Sequence, residues 1–139
     1  MKKFLGVGIL SIILILGAFY LINSRSSTTF NEIVPDTAKI TSIEIIKSST
    51  DIEAVIENGN DIKELLKSLS EAELKGAKMG SIHFNESYWI TLSTNEKRQV
   101  GITVYDDKYL LIFDYNENKQ TTYQIINGLD SSYIEQFFN

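Results

Sequence analysis

His83 is the chain's one histidine and there is no cysteine, so nucleophilic and metal chemistry begin with few parts. A Ser-His-Asp arrangement would have to use His83 as its base. Its setting, Ser81-Ile-His-Phe-Asn85, carries no nucleophile motif, and a single histidine at a strand edge or in a loop reads as a surface or structural residue. Cysteine nucleophiles are excluded by composition, and so are zinc sites of the Cys/His type, which take about four such ligands. Carboxylates are plentiful. Asp114-Tyr-Asn116-Glu-Asn118 has the Asp-x-Asn-x-Asn start of a calcium loop, but an EF-hand continues with Gly at the sixth position and Glu at the twelfth. Lys119 and Ile125 stand there, and a polar β-turn is the better reading. No Gly-rich phosphate loop is present, and the Asn85-Glu86-Ser87 sequon matters only in a eukaryotic secretory route. The sequence therefore assigns no catalytic residue, no metal and no cofactor, and an enzyme is not expected.

The residues best suited to recognition are aromatic. In Ser87–Ser93 the alternation places Tyr88, Ile90 and Leu92 on one face and Trp89, Thr91 and Ser93 on the other. Val100, Ile102 and Val104 repeat the pattern, with Tyr105, Thr103 and Gly101 opposite, and Tyr109–Tyr115 is apolar on both faces. The second face thus carries Trp89 and Tyr105. Two readings stand: the C-terminal segment covers it with Tyr133, Ile134, Phe137 and Phe138, which sit at helical spacing, or Trp89 and Tyr105 stay partly exposed as an aromatic binding patch.

The elements that position these residues follow from changes in hydrophobic period. Ile40–Lys47 and Ile52–Glu57 alternate apolar with polar, are rich in β-branched residues and are joined by Ser48-Ser49-Thr50-Asp51, which predicts a hairpin. After the Asn58-Gly59 break, Ile62, Leu65, Leu66 and Leu69 mark one face of a helix, with Asn60 or Asp61 as its cap and Asp61 and Glu64 as a capping box. Lys75–Ser81 reads as a loop. Strand signals return at Ser87–Ser93, Gln99–Tyr105, Tyr109–Tyr115 and Thr121–Ile126, separated by short polar connectors, which implies an antiparallel meander. Asp130–Phe138 closes as a short helix with Ser132 and Glu135 as its capping pair. The expected fold is α+β: an antiparallel sheet in the order β-β-α-β-β-β-β-α with one amphipathic helix packed on a face.

Ahead of this domain, Phe4–Ile22 runs nineteen residues without a charge, preceded by Lys2 and Lys3. It has no polar stripe, and about 20 residues at 1.5 Å each cross a hydrocarbon core of roughly 30 Å. The run is longer than a signal h-region, so the expectation is a single-pass anchor; cleavage near Ser26 would instead give a secreted domain. With Arg25 the only basic residue close behind the run, the charge bias puts the N-terminus in the cytoplasm and the domain outside. The organisation expected is a cytoplasmic 1–3, an anchor 4–22, a flexible polar tether 23–37 and an extracytoplasmic domain 38–139. From Asp36 onward there are ten Lys plus Arg against seventeen Asp plus Glu, a formal charge of −7. This excludes nucleic acid as a natural partner, since phosphate backbones are met by clustered cations.

The Lys-Lys start, the single hydrophobic segment, the Ser/Thr stretch, the Ile40–Lys47 strand, Asn60-Asp-Ile-Lys-Glu-Leu-Leu66 and the closing Tyr-rich hairpin resemble small uncharacterised extracytoplasmic proteins of Gram-positive bacteria, many of them lipoproteins or single-pass proteins. The chain departs from the lipoprotein members by lacking the anchoring cysteine, and the resemblance carries over no functional residue. Two functions follow as expectations: a membrane-tethered interaction module of the cell envelope with a protein or peptide partner, or a carboxylate-dependent hydrolase. Two carboxylates converging in a concave pocket with shifted pKa values would favour the hydrolase; a flat aromatic patch would favour the module.

Overall fold

The computed structural model describes residues 2–24, 26–78, 80 and 83–139, excepting the side chains of residues 2–7 and 22–24. Helix α1 spans Lys2–Ser24. The domain then runs β1 (Thr28–Thr29), α2 (Phe30–Ile33), β2 (Ser42–Lys47), β3 (Ile52–Ile56), α3 (Gly59–Ser70), β4 (Glu73–Gly76), β5 (Ser87–Thr94), β6 (Lys97–Tyr105), β7 (Tyr109–Asp114), β8 (Lys119–Asn127) and α4 (Ser132–Glu135), which a 3-10 turn extends to Phe138. All strands join one antiparallel sheet in the order β1-β4-β8-β7-β6-β5-β2-β3. The fold is α+β, as the alternation of periods predicts.

The predicted hairpin and meander are present. β5 to β8 pair consecutively, and β2 docks on β5 with Ile43 opposite Leu92 and Ile45 opposite Ile90. The β5–β6 turn places Asn95 and Glu96 at φ 49° and 67°, the left-handed pair that lets a two-residue loop follow the twist of its strands. Helix α3 carries the chain from the β3 edge across the sheet to β4, burying Ile62, Leu65 and Leu69. Its cap is Asn58, not Asn60 or Asp61: the Asn58 side chain accepts the N–H groups of Asn60 at 2.9 Å and Asp61 at 3.5 Å. The helix begins one turn earlier than its apolar residues suggest because Gly59 and Asn60 cost little at exposed first-turn positions.

Two further departures change the picture. Residues 28–37 are not a flexible tether. β1 pairs with β4, Phe30 is 0% exposed and Val34 4%, so this segment is part of the core. Residues 73–76 form a strand that takes in the first two residues of the loop expected over Lys75–Ser81, of which 79 and 81 lie outside the described residues. β4 has one buried side chain, Leu74, too little apolar signal to announce a strand, and it is held by pairing with β8 on one side and β1 on the other.

The core lies on one side of the sheet. Phe30, Val34, Ile62, Leu65, Leu69 and Ile134 pack there against Ile43, Ile45, Tyr88, Ile90, Leu92, Ile102, Val104 and Leu110. The C-terminal segment therefore packs beside α3 and does not cover the Trp89 face. Ile134 is buried there, Phe138 lies 6.3 Å from the Tyr88 ring, and Glu135 accepts hydrogen bonds from Lys47 at 2.6 and 2.9 Å and from the Tyr88 hydroxyl. Glu135 is thus not paired with Ser132 as a cap; the Asp130 carboxylate accepts the Ser132 N–H at 2.9 Å instead.

Among the described residues no helix is long and apolar enough to cross a membrane. The described side chains of α1 are those of 8–21, and the Phe4–Ile22 reading extends past them at both ends. Every side chain from 8 to 21 is exposed.

Candidate functional site

With α2, α3 and α4 all on one side, no described element of the domain covers the opposite face of the sheet, which is bare among the described residues. Register fixes what it shows. One row across the strands is Glu53, Ile46, Trp89, Thr103, Leu111 and Thr122; a second is Ser87, Tyr105, Tyr109 and Gln124; a third is Val55, Glu44, Thr91, Gly101, Phe113 and Gln120. Trp89, on β5, is 51% exposed. Tyr105, one strand over and two residues along, is half-buried because Phe84 stands edge-on to it at 4.8 Å. The two residues singled out by alternation therefore do share one face, within diagonal reach. Around them Phe84 and Tyr115 are 46% and 40% exposed, and Val55 is 58% exposed at the β3 edge.

This face is braced. Tyr115 meets Phe113 edge-on at 4.9 Å, and its ring lies over Gly101, where an added Cβ would sit 3.4 Å from it. The loop carrying Phe84 is fixed by Asp106, whose carboxylate accepts the N–H groups of Asn85 at 2.6 Å and Glu86 at 2.9 Å. Burial pushes the Glu86 carboxyl up, but hydrogen bonds from Ser49, Ser48 and the Ser87 N–H outweigh it and hold the group below the ordinary carboxylate range. Sequence reasoning missed Phe84, Tyr115 and Val55. Phe84 sits in a loop and belongs to no alternating run, while Tyr115 closes the Tyr109–Tyr115 run, whose two apolar faces give no sign of which side is exposed.

Chemically the bare face offers aromatic rings, methyl groups and the hydroxyls of Thr91, Thr103, Tyr105 and Tyr109. That is a recognition surface: Trp and Tyr combine large apolar area with a polar handle and few rotatable bonds. His83 is exposed and takes no part in it.

On the helix-bearing side a cleft of about 560 Å³ lies between residues 32–40 and the ends of β6, β7 and β8. Glu32, Asp36, Asp114 and Glu117 line it together with Lys39 and Lys119. The Asp114 carboxylate accepts the N–H groups of Asn116 at 2.8 Å and Glu117 at 3.0 Å, so Asp114–Asn118 forms the polar turn expected of it. Hydrogen bonds from the Thr28 hydroxyl at 2.6 Å and the Thr29 N–H at 3.0 Å hold Glu32 below the ordinary range, opposite to the direction a general acid requires. Sequence reading passed over this cleft because it assigned one wall to a tether. The Thr29-x-x-Glu32 pattern, a capping-box signature, was the available signal.

At the far end of the core side, Glu135 clamps the C-terminal segment. Its hydrogen bond from Lys47, and then that from Tyr88, hold the carboxyl below its usual range, while burial and the Glu135 bond push the Tyr88 hydroxyl up. Both groups are thereby fixed in their ordinary protonation states, which describes a latch. Glu135 is lowered on folding, so its contribution is present above the unfolded carboxylate pKa of about 4.3 and is lost as pH falls through the folded value. Its side chain is 36% exposed, and solvent screening keeps the contribution to about 1 kcal/mol. Urea unfolding at pH 7 should show Glu135→Gln less stable by about that amount, and the difference should vanish near pH 3.

The sequence profile of one protein family matches residues 30–112: DUF5301, described as a domain of unknown function (DUF5300). The chain belongs to this family. The match begins at Phe30, the first buried residue of the domain, and includes Trp89 and Tyr105. No curated protein and no solved structure matches the chain.

Proposed function

We propose that this DUF5301 chain is a membrane-tethered interaction module whose bare sheet face, centred on Trp89, binds a protein partner at the outer surface of the cell membrane. The observation that carries the reading is the half-exposed Trp89 in a continuous row with Ile46, Thr103 and Leu111. Contiguous apolar surface left unpaired on a soluble domain marks an interaction site, and Trp and Tyr are the residues on which such interfaces concentrate their binding energy.

The tether supports the same reading. α1 is a 23-residue helix whose described apolar side chains are exposed, Phe19 and Tyr20 at 71% and 75% among them, which suits a hydrocarbon surrounding. Lys2 and Lys3 at its start favour a cytoplasmic N-terminus. Only residues 25–27 separate α1 from β1, a span of at most about 11 Å. An anchored domain is then held against the bilayer, and its partners are membrane neighbours. Its acidity keeps it off anionic headgroups and leaves the bare face to protein.

Crosslinking in native membranes, followed by identification of the adduct, tests this. Trp89→Ala with Tyr105→Ala should weaken partner capture on the order of 30-fold or more, the scale of about 2 kcal/mol for an interface anchor. Trp89→Ala alone should leave thermal stability within about 0.5 kcal/mol, as an exposed position does. Undiminished capture by the double variant would remove the bare face from the account.

A further inference from the structure

The sheet ends differently at its two edges. At one, β1 is two residues long and turns straight into α2. At the other, β3 pairs with β2 over all five of its residues without a bulge and carries neither Lys nor Pro, so it lacks the devices that blunt an edge. Backbone direction along β3 follows from the turn before it. The Ser48 N–H donates to the Ser87 carbonyl on β5 at 3.0 Å, and the Asp51 N–H to the Lys47 carbonyl at 2.9 Å. Lys47, Ile45 and Ile43 therefore turn their backbone groups toward β3, facing Ile52, Ala54 and Ile56. The N–H and C=O groups of Glu53 and Val55 point out of the sheet, and among the described residues no strand or loop pairs with them. We propose that this edge takes up an extended segment of a partner protein as an added strand, with Lys or Arg at alternate positions facing Glu53 and apolar residues between them lying over Ile52 and Ala54.

Side chains select that segment. Glu53 and Val55 lie on the bare face, directly opposite Ile46 and Glu44, so residues paired with them on an added strand fall beside the Glu53 and Glu44 carboxylates. Asp51 and Glu57 flank the strand, both exposed, and no basic residue stands between 51 and 57. Among the described residues Asp51, Glu53 and Glu57 take no part in an ion pair, which leaves their charge for a cationic strand. On the other face Ile52, 52% exposed, and Ala54 offer apolar surface. A second copy of the chain does not fit. Every antiparallel register of two β3 edges that engages Glu53 and Val55 sets acid against acid: Glu53 opposite Asp51, Glu53 or Glu57, or Asp51 opposite Glu57. Like charges directly opposite destabilise a strand pair, whereas a basic segment is complementary in each of these positions. The inference stands on the β3 backbone and its acids, not on the Trp89 row.

Fluorescence anisotropy of a labelled Lys-Val-Lys-Val-Lys-Val-Lys peptide, titrated with the full chain in nonionic micelles, tests this, with amide exchange as the readout of position. The peptide should bind and should slow exchange at Glu53 and Val55. Methylating the backbone amides of its lysines removes the N–H groups aimed at β3 and keeps every charge; binding should weaken at least tenfold. Glu53→Lys should weaken it about tenfold without moving the melting temperature. Val55→Pro deletes an N–H that β2 does not use, a change edge strands accept, and should weaken binding about fivefold. Equal binding of the methylated peptide, wild-type binding by Glu53→Lys, or no binding at millimolar peptide would each overturn the proposal. So would self-association that protects Glu53 and Val55 without peptide, which would hand the edge to a second copy.

Discussion

Gly128→Ala is expected to destabilise the domain by about 3 kcal/mol or more in urea unfolding. Gly128 has φ 91°, and a Cβ built there would stand 2.1 Å from the carbonyl oxygen of Glu71 and 2.8 Å from its carbonyl carbon. A left-handed backbone costs an L-residue roughly 1–2 kcal/mol, and forcing atoms into a packed site adds about 1–3 kcal/mol. The obstructing atoms are backbone, so no rotamer relieves them. Glu71 is the C-cap of α3, and Gly128 is where the chain leaves β8; their close approach ties the end of the helix to the start of the C-terminal segment. The variant should therefore also loosen the Glu135 clamp, visible as faster amide exchange at Ile134. Gly59→Ala is the control: nothing lies within 4 Å of its Cβ position, and stability should stay within about 0.5 kcal/mol. A loss below 1 kcal/mol at Gly128 would contradict the close approach.

Phe30→Ala carries the second large effect. Phe30 is 0% exposed, and truncating a buried Phe costs about 3–5 kcal/mol. For a domain of this size that lowers the melting temperature on the order of 20 °C. The substitution decides where the domain begins. If residues 23–37 were a solvated tether, Phe30 would lie in water and its loss would be neutral; if the core starts at Phe30, much of a typical margin of about 5–15 kcal/mol disappears. Thermal melting followed by near-ultraviolet circular dichroism distinguishes the two.

Those two positions also show what was legible in the sequence. Alternation over four or more residues with a β-branched bias located six of the eight strands among the described residues, and the 3.6-residue spacing of Ile62, Leu65 and Leu69 located α3, because each element buries one face and repeats that face in the sequence. β1 and β4 stayed hidden because a strand of two residues, or one with a single buried Leu74, has no period to read. The N-terminal segment was misassigned because small polar residues outnumber Phe30 and Val34, although two large side chains at i, i+4 are enough to anchor a turn on a core. Alternation did place Trp89 and Tyr105 together, since strand periodicity fixes faces without reference to the fold. It was silent on which face the C-terminal segment would cover. That choice rests on the Lys47–Glu135–Tyr88 hydrogen bonds and on the turn at Gly128, contacts between residues dozens of positions apart.

The most direct measurement of the central claim is site-specific photocrosslinking in native membranes, with a photoreactive phenylalanine replacing Trp89 in one sample and Lys63 in another. Trp89 lies on the bare face, and Lys63 is exposed on α3, on the opposite side of the sheet. A bare face that docks a protein gives a discrete protein adduct from position 89 and none from position 63. An adduct from position 63 alone, or from neither position, would contradict it.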